Sequence, residues 1–170
     1  IGIEILEDVP DADIIVVPIG GGGLISGIAI AAKHIKPEVK IIGVQTKNLP
    51  SMARSLSQNH ITTVEGPATI ADGIAVKTPG ELTFKIVKKF VDDIVTVDED
   101  EIANAILLLL ERAKVVSEGA GAASVAAILN RLDIVRNKKI VALISGGNID
   151  VNMLSRIIDK GLVKSGRKIF

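Results

Sequence analysis

The sequence predicts an α/β fold: a three-layer αβα sandwich with a mainly parallel sheet. Two observations carry that prediction. Along the 170 residues, short β-branched runs alternate with segments that are apolar at helical spacing, the rhythm of a parallel sheet covered on both faces. The first and last of those runs each lead into a glycine cluster. A hydrophobic share of 48% is a globular value, and a chain of this length can bury a core.

The elements follow in order. Ile1 to Asp8 reads as the end of a helix already under way. Asp13 to Pro18 is a buried strand that ends in glycines, and about Leu24 to Ile35 is a helix stopped before Pro37. Lys40 to Val44 is a second strand, and a short helix runs from about Pro50 to Gln58. About Asn59 to Pro79 is turn-rich, the least regular stretch and the first candidate for disorder. Thr78-Pro79-Gly80-Glu81 reads as a helix start in which Thr78 caps, Pro79 opens the first turn and Glu81 completes a capping box. Ile94 to Val97 is a third strand. Asp98-x-x-Glu101 is a capping box for a helix to about Ala113, apolar all round from Ile106 to Leu110. Ala120 to about Leu129 is an alanine-rich helix, Ile140 to Ile144 a fourth strand, and Asp150 caps a last helix that Gly161 ends.

Charge and composition exclude several function classes. Twenty basic residues balance twenty acidic ones, which argues against nucleic acid or an anionic membrane as partner. Aromatics are 2%, all Phe, too few for base stacking. No apolar run reaches the ~18 residues of a membrane span. Without Cys there are no disulfides or thiolate metal sites. No signal-like N-terminus is seen, so the cytoplasm is the default expectation. A chain that opens on Ile1 and stops at a strand-like Arg167 to Phe170 reads as a piece of a longer protein.

In such sheets ligands sit beyond the carboxyl ends of the strands, so the loops there carry the chemistry. Gly20, Gly21, Gly22 and Gly23 follow the first strand and open a helix at Leu24. Four glycines strip every Cβ from the turn, so that backbone N–H groups converge on an anion at a positive helix end; the natural ligand is a phosphate monoester. A dinucleotide fingerprint does not fit, because its third glycine falls on Ile25 or Ser26 and the acid after the second strand is Gln45. A P-loop does not fit either: Gly161-x4-Gly166 is followed by Arg167. Ser145-Gly146-Gly147-Asn148 is a second glycine loop at the same sheet edge, bearing a hydroxyl and an amide. Glu118 stands beside a small-residue helix that a backbone or cofactor can approach, and Asp72-Gly73 lies in the irregular stretch, placed to cover a ligand.

Gly20 to Leu24, Ala71-Asp72-Gly73, Ser117 to Gly121 and Ser145 to Asn148, in that order and spacing, resemble the serine/threonine dehydratases. These are tryptophan-synthase-β-like (fold type II) pyridoxal-phosphate enzymes, and the likeness is strongest to the catabolic threonine dehydratase (threonine ammonia-lyase) group. The resemblance implies pyridoxal 5'-phosphate as cofactor. Gly20, Gly21, Gly22, Gly23 and Leu24 would hold its phosphate, Ser145 would face the pyridine nitrogen, and Gly73 and Asn148 would lie on the cofactor side; Asp72 and Glu118 would be in the vicinity. A neutral Ser at the ring nitrogen makes a milder electron sink than an Asp. The implied reaction is β-elimination from L-threonine or L-serine to ammonia and a 2-oxo acid, by a cytoplasmic homodimer or tetramer in threonine catabolism or isoleucine biosynthesis. The implied domains are the C-terminal part of the large cofactor domain over 1–161 and, over 162–170, a linker toward an allosteric ACT domain.

Two departures matter. The family's Schiff-base lysine lies in a Ser-x-Lys-x-Arg-Gly-Ala segment that these 170 residues lack. No catalytic residue is therefore assigned, Lys33, Lys36, Lys40 and Lys47 are read as solvated surface residues, and the chain alone is expected to be inactive. The divalent-cation site of the related serine racemases uses a Glu and an Asp where this chain has Gln45 and Ser51, so no metal is expected. His34 and His60 are isolated and read as surface residues. Two alternatives stay open: a non-catalytic module for phosphorylated ligands, and an oligomerisation piece without phosphate affinity.

Overall fold

The structure is a computed structural model and describes residues 1–130, 137–164, 166 and 167. The expected strand-like character of Lys168 to Phe170, and with it the far end of the 162–170 linker, lies outside the described residues.

Among the described residues, four parallel strands form one sheet: β1 (Ile14–Pro18), β2 (Lys40–Thr46), β3 (Asp93–Val97) and β4 (Ile140–Ala142). Their order is β3-β2-β1-β4. Ile14 lies opposite Lys40 on one side and Ile140 on the other, and Ile42 lies opposite Asp93. The α-helices of the described residues are α1 (Gly2–Asp8), α2 (Gly23–Ile35), α3 (Ser51–Gln58), α4 (Glu81–Phe90), α5 (Glu99–Leu108), α6 (Gly119–Asn130) and α7 (Val151–Lys164). A π-helical turn, Leu109–Ala113, continues α5, and a 3-10 turn covers Asp72–Ile74.

The alternation of side chains along each strand sorts the core into two layers. Ile15, Val17 and Ile41 pack with Leu6, Ile28, Met52, Phe84 and Val87, under α1 to α4. Ile14, Val16, Ile42 and Val44 pack with Ile102, Ile106, Ala122, Ala126 and Ile157, under α5 to α7. All five residues of β1 are buried, which is why its sequence is an unbroken apolar run rather than an alternating one. Each isoleucine fully buried there contributes about 2–3 kcal/mol over the exposed state.

The Asp98 box forms as expected: Glu101 N–H donates to Asp98 Oδ1 at 3.0 Å, and Asp98 N–H to Glu101 Oε2 at 2.8 Å. Asp150 accepts from Asn152 N–H at 2.9 Å and Met153 N–H at 3.2 Å at the start of α7.

Four expectations are corrected. Gly80, not Thr78, occupies the N-cap of α4, with no side-chain cap bond; the Thr78 hydroxyl instead meets that of Thr63 at 2.9 Å. Gly161 does not end α7, which runs on to Lys164. A Cβ at 161 would lie 2.5 Å from Leu107 Cδ2, so this glycine lets α7 approach α5. The fourth strand is shorter than expected, although Leu143 N–H still donates to Val16 O at 3.0 Å. The irregular stretch after α3 is tied down rather than loose: Val64 N–H donates to Lys77 O at 3.0 Å, Asn48 Nδ2 to Ala68 O at 2.8 Å and Thr62 N–H to Ser55 Oγ at 2.9 Å.

Candidate functional site

The chain runs from β1 outward through β2 to β3, then crosses back to place β4 on the other side of β1. The reversal falls between β1 and β4, and open α/β sheets part their loops into a crevice at such a point. The glycine loop follows β1, and the loop Ser145 to Asn148 follows β4. The two glycine-rich segments therefore flank the same crevice.

The first hydrogen bond of α2 is Ser26 N–H to Gly22 O, 3.0 Å. The N–H groups of Gly23, Leu24 and Ile25 precede it and have no intrahelical acceptor. Gly22 is left-handed, φ 91°, and a Cβ there would lie 2.8 Å from Met52 Cε and 3.0 Å from Thr83 Cβ. Gly20 is also packed: a Cβ would meet Gly73 O, Ile74 Cα and Val76 Cγ2, each at 3.3 Å. Gly21 and Gly23 are different, because a Cβ at either would meet nothing within 4 Å. Packing inside the chain explains two of the four glycines and leaves two unexplained, each costing unfolded-state entropy. A ligand resting on bare backbone explains both, and amides at a helix N-terminus suit a phosphate.

Gly73 borders Gly20 on one side, and on the other a Cβ at 73 would lie 3.1 Å from Ala120 Cβ and 3.5 Å from Glu118 Oε1. The half-buried Glu118 carboxylate accepts from Asn148 N–H at 3.0 Å, and Glu118 N–H donates to Gly146 O at 3.2 Å. A Cβ at 146 would lie 2.6 Å from Glu118 Oε1. The structure thus brings Gly20 to Gly23, Gly73, Glu118, Gly146 and Asn148 into one neighbourhood. Ser145 and Asn148 are exposed, and their side chains make no hydrogen bond among the described residues. Asp72 is exposed, and its Oδ1 accepts from Gly73 N–H at 2.8 Å, which shapes the turn. Leu24 divides its roles. Its N–H stands at the helix start, while its side chain lines a groove with Ile1, Ile3, Gly27 and Ile28.

Two residues that the sequence does not single out hold these loops in place. Glu99, first in α5, accepts from Thr69 Oγ1 at 2.6 Å, Ile70 N–H at 2.7 Å, and Asn48 Nδ2 and Thr46 Oγ1 at 3.3 Å each. It fastens the segment that leads to Gly73 onto the end of β2. Thr83 of α4 donates to Gly21 O at 2.6 Å. The only sequence signal for Glu99 is its place in an acidic run, where capping already accounts for its neighbours.

The four lysines named from the sequence make their contacts elsewhere. Lys33 and Lys36 are half-buried rather than fully solvated. They lie at the far end of α2, bound to Asp92 at 2.8 Å and to Pro10 O at 3.1 Å. Lys40 is exposed where β2 begins, at the opposite sheet edge, and Lys47 pairs with Asp98 at 3.0 Å. Gln45 and Ser51 are both buried and occupied: Gln45 Oε1 accepts from Ala53 N–H at 2.9 Å, and Ser51 Oγ donates to Val76 O at 2.6 Å. His34 and His60 are exposed. No group of three or more His, Cys, Asp or Glu suited to a metal occurs among the described residues, and no helix of these residues is long and apolar enough to cross a membrane.

A parallel αβα sheet with an anion-suited glycine turn at its switch point defines a class of phosphate-cofactor domains. The family described as "Pyridoxal-phosphate dependent enzyme" matches residues 1–146, and the chain belongs to it. It is 65% identical over all 170 of its residues to the L-threonine ammonia-lyase of Thermotoga maritima, covering 42% of that protein. It is 53% identical over 159 residues to the catabolic L-threonine dehydratase TdcB of Escherichia coli strain K12, covering 48% of it. The chain thus spans less than half the length of these curated relatives. Among solved structures, the processed form of threonine deaminase isoform 2 from Solanum lycopersicum superposes with a TM-score of 0.88 at 36% identity, over 93% of this chain and 47% of that one. Maize serine racemase gives 0.84 at 38% identity, over 97% and 51%.

The family is pyridoxal-phosphate dependent, and the residues present fit that cofactor. The amides of Gly23 to Ile25 and the bare faces of Gly21 and Gly23 form a cradle that a side chain would fill.

Proposed function

We propose that this chain is a part of a threonine/serine ammonia-lyase that binds pyridoxal phosphate without turning over substrate by itself. Residues 1–161 are, in this reading, the C-terminal part of the large cofactor domain, and 162–170 lead toward a regulatory domain. The observation that carries it is the pair Gly21 and Gly23, bare where nothing among the described residues requires it.

The N–H groups of the glycine loop bind the phosphate, and Gly73 closes that end. The Ser145 hydroxyl would face the pyridine nitrogen and, being neutral, would favour a milder electron sink than an Asp there. Glu118 holds the Ser145 to Asn148 loop by accepting from Asn148 N–H. When bound, the cofactor supplies the electron sink that weakens the α-C–H bond of an amino acid. The family's Schiff-base lysine segment is absent from these 170 residues, so in this reading the rest of the whole enzyme, acting on threonine or serine as a homo-oligomer, supplies the group that takes that proton.

A titration with pyridoxal phosphate tests this. Reversible saturable binding is expected, with no single lysine labelled on borohydride reduction. Gly22→Ala, which forces a side chain into a left-handed position against Met52 and Thr83, is expected to weaken binding about tenfold or more. Stoichiometric labelling of one lysine, or threonine-dependent release of 2-oxobutanoate by the chain alone, overturns the reading. Equal affinity for unrelated phosphate esters would favour a non-catalytic phosphate module instead.

A further inference from the structure

The Gly21–Gly22 peptide carries no Cβ on either side to oppose rotation of its plane. Left alone, such a peptide presents its N–H in either direction. One contact removes that freedom: Thr83 Oγ1, 62 residues away, donates to Gly21 O at 2.6 Å. The same oxygen lies 3.1 Å from Gly80 O, but a hydroxyl has one proton and the shorter contact takes it. No cis peptide occurs among the described residues, and in a trans peptide the C=O and the following N–H point in opposite directions. Fastening the Gly21 carbonyl to α4 therefore turns the Gly22 N–H away from α4, and nothing among the described residues accepts from it. The Thr83 side chain also packs where a Cβ of Gly22 would sit, at 3.0 Å.

We propose that Thr83 is the positioning residue of the phosphate loop: its hydroxyl fixes the Gly21–Gly22 peptide so that the Gly22 amide faces the bound phosphate monoester. The proposal rests on the reading of that loop given above. Thr83 need not touch the ligand; it acts by removing the alternative peptide orientation before binding, which is preorganisation.

The probes are pyridoxine 5'-phosphate, which has no aldehyde to condense with surface lysines, and pyridoxine, which lacks the phosphate. Equilibrium binding is measured on the full 170-residue chain. Wild type is expected to prefer the phosphorylated probe. Thr83→Val keeps the shape and removes the hydroxyl, and is expected to weaken pyridoxine 5'-phosphate binding about tenfold, the scale of one phosphate-directed hydrogen bond. Pyridoxine binding and the melting temperature should stay unchanged. Thr83→Ser restores the hydroxyl and is expected to recover affinity to within about twofold of wild type. Equal loss for both probes, or failure of serine to rescue, would show a merely structural role and overturn the inference. A Thr83→Val chain that still prefers the phosphorylated probe as wild type does also overturns it, leaving the loop reading intact. A wild-type chain that binds both probes equally overturns the loop reading and this inference together.

Discussion

Glu99 is the first residue of α5, where the partial positive charge of a helix end favours a carboxylate. Its two oxygens serve four donors from the end of β2 and the segment before Gly73. Glu99→Gln replaces one acceptor oxygen by an NH2 group that must face either the Ile70 N–H or the Asn48 amide, donor against donor. The expected cost is about 1–3 kcal/mol in urea unfolding, with faster amide exchange at Ile70 and Ala71 and little change elsewhere. The glycine loop and the Ser145 loop were legible in the sequence because glycine and small polar residues advertise a backbone conformation. Glu99 and Thr83 were not. An acidic residue and a threonine, each in the first turn of a helix, have ordinary local explanations, and their partners lie 29 to 62 residues away.

Helix starts were legible where the cap is local in sequence. Asp98 and Glu101 close on each other as their spacing requires. The Glu101 N–H and then the Lys47 ammonium hold the Asp98 carboxyl below the usual aspartate range. Its contribution to stability is therefore complete above an ordinary value of about 3.9 and is lost as pH falls below that, through the depressed folded-state value. Asp98→Asn keeps the cap oxygen but cannot titrate, so the stability difference between neutral and acid pH is expected to shrink on chemical unfolding at the two pH values. Gly161 shows the opposite case: read locally it stops a helix, whereas in the fold it is where α7 meets Leu107 of α5. Gly161→Val is expected to destabilise the chain by about 1–3 kcal/mol through overpacking. Shortening the opposing side chain with Leu107→Ala should make the valine cost less, a coupling that a double-mutant cycle measures.

The alternation of strands and helices gave the three layers, the parallel sheet and its two-sided burial, because period-2 and period-3.6 patterns differ plainly. It did not give the strand order, which depends on which edge of β1 receives β4. Both outer strands are hydrogen-bonded on one side only among the described residues, and such edges template association. Sedimentation equilibrium is expected to show a weight-average mass that rises above 17.8 kDa with concentration. The order has a kinetic consequence as well. Asp13 and Lys139, joined across the β1–β4 pair, are 126 residues apart, whereas β1, β2 and β3 follow one another along the chain. Closing so long a segment is slow relative to the local pairings. On refolding, helical signal should return first, and the capacity to hold a phosphate ester only once β4 has docked. Anything that binds there then pulls late intermediates toward the native state by mass action.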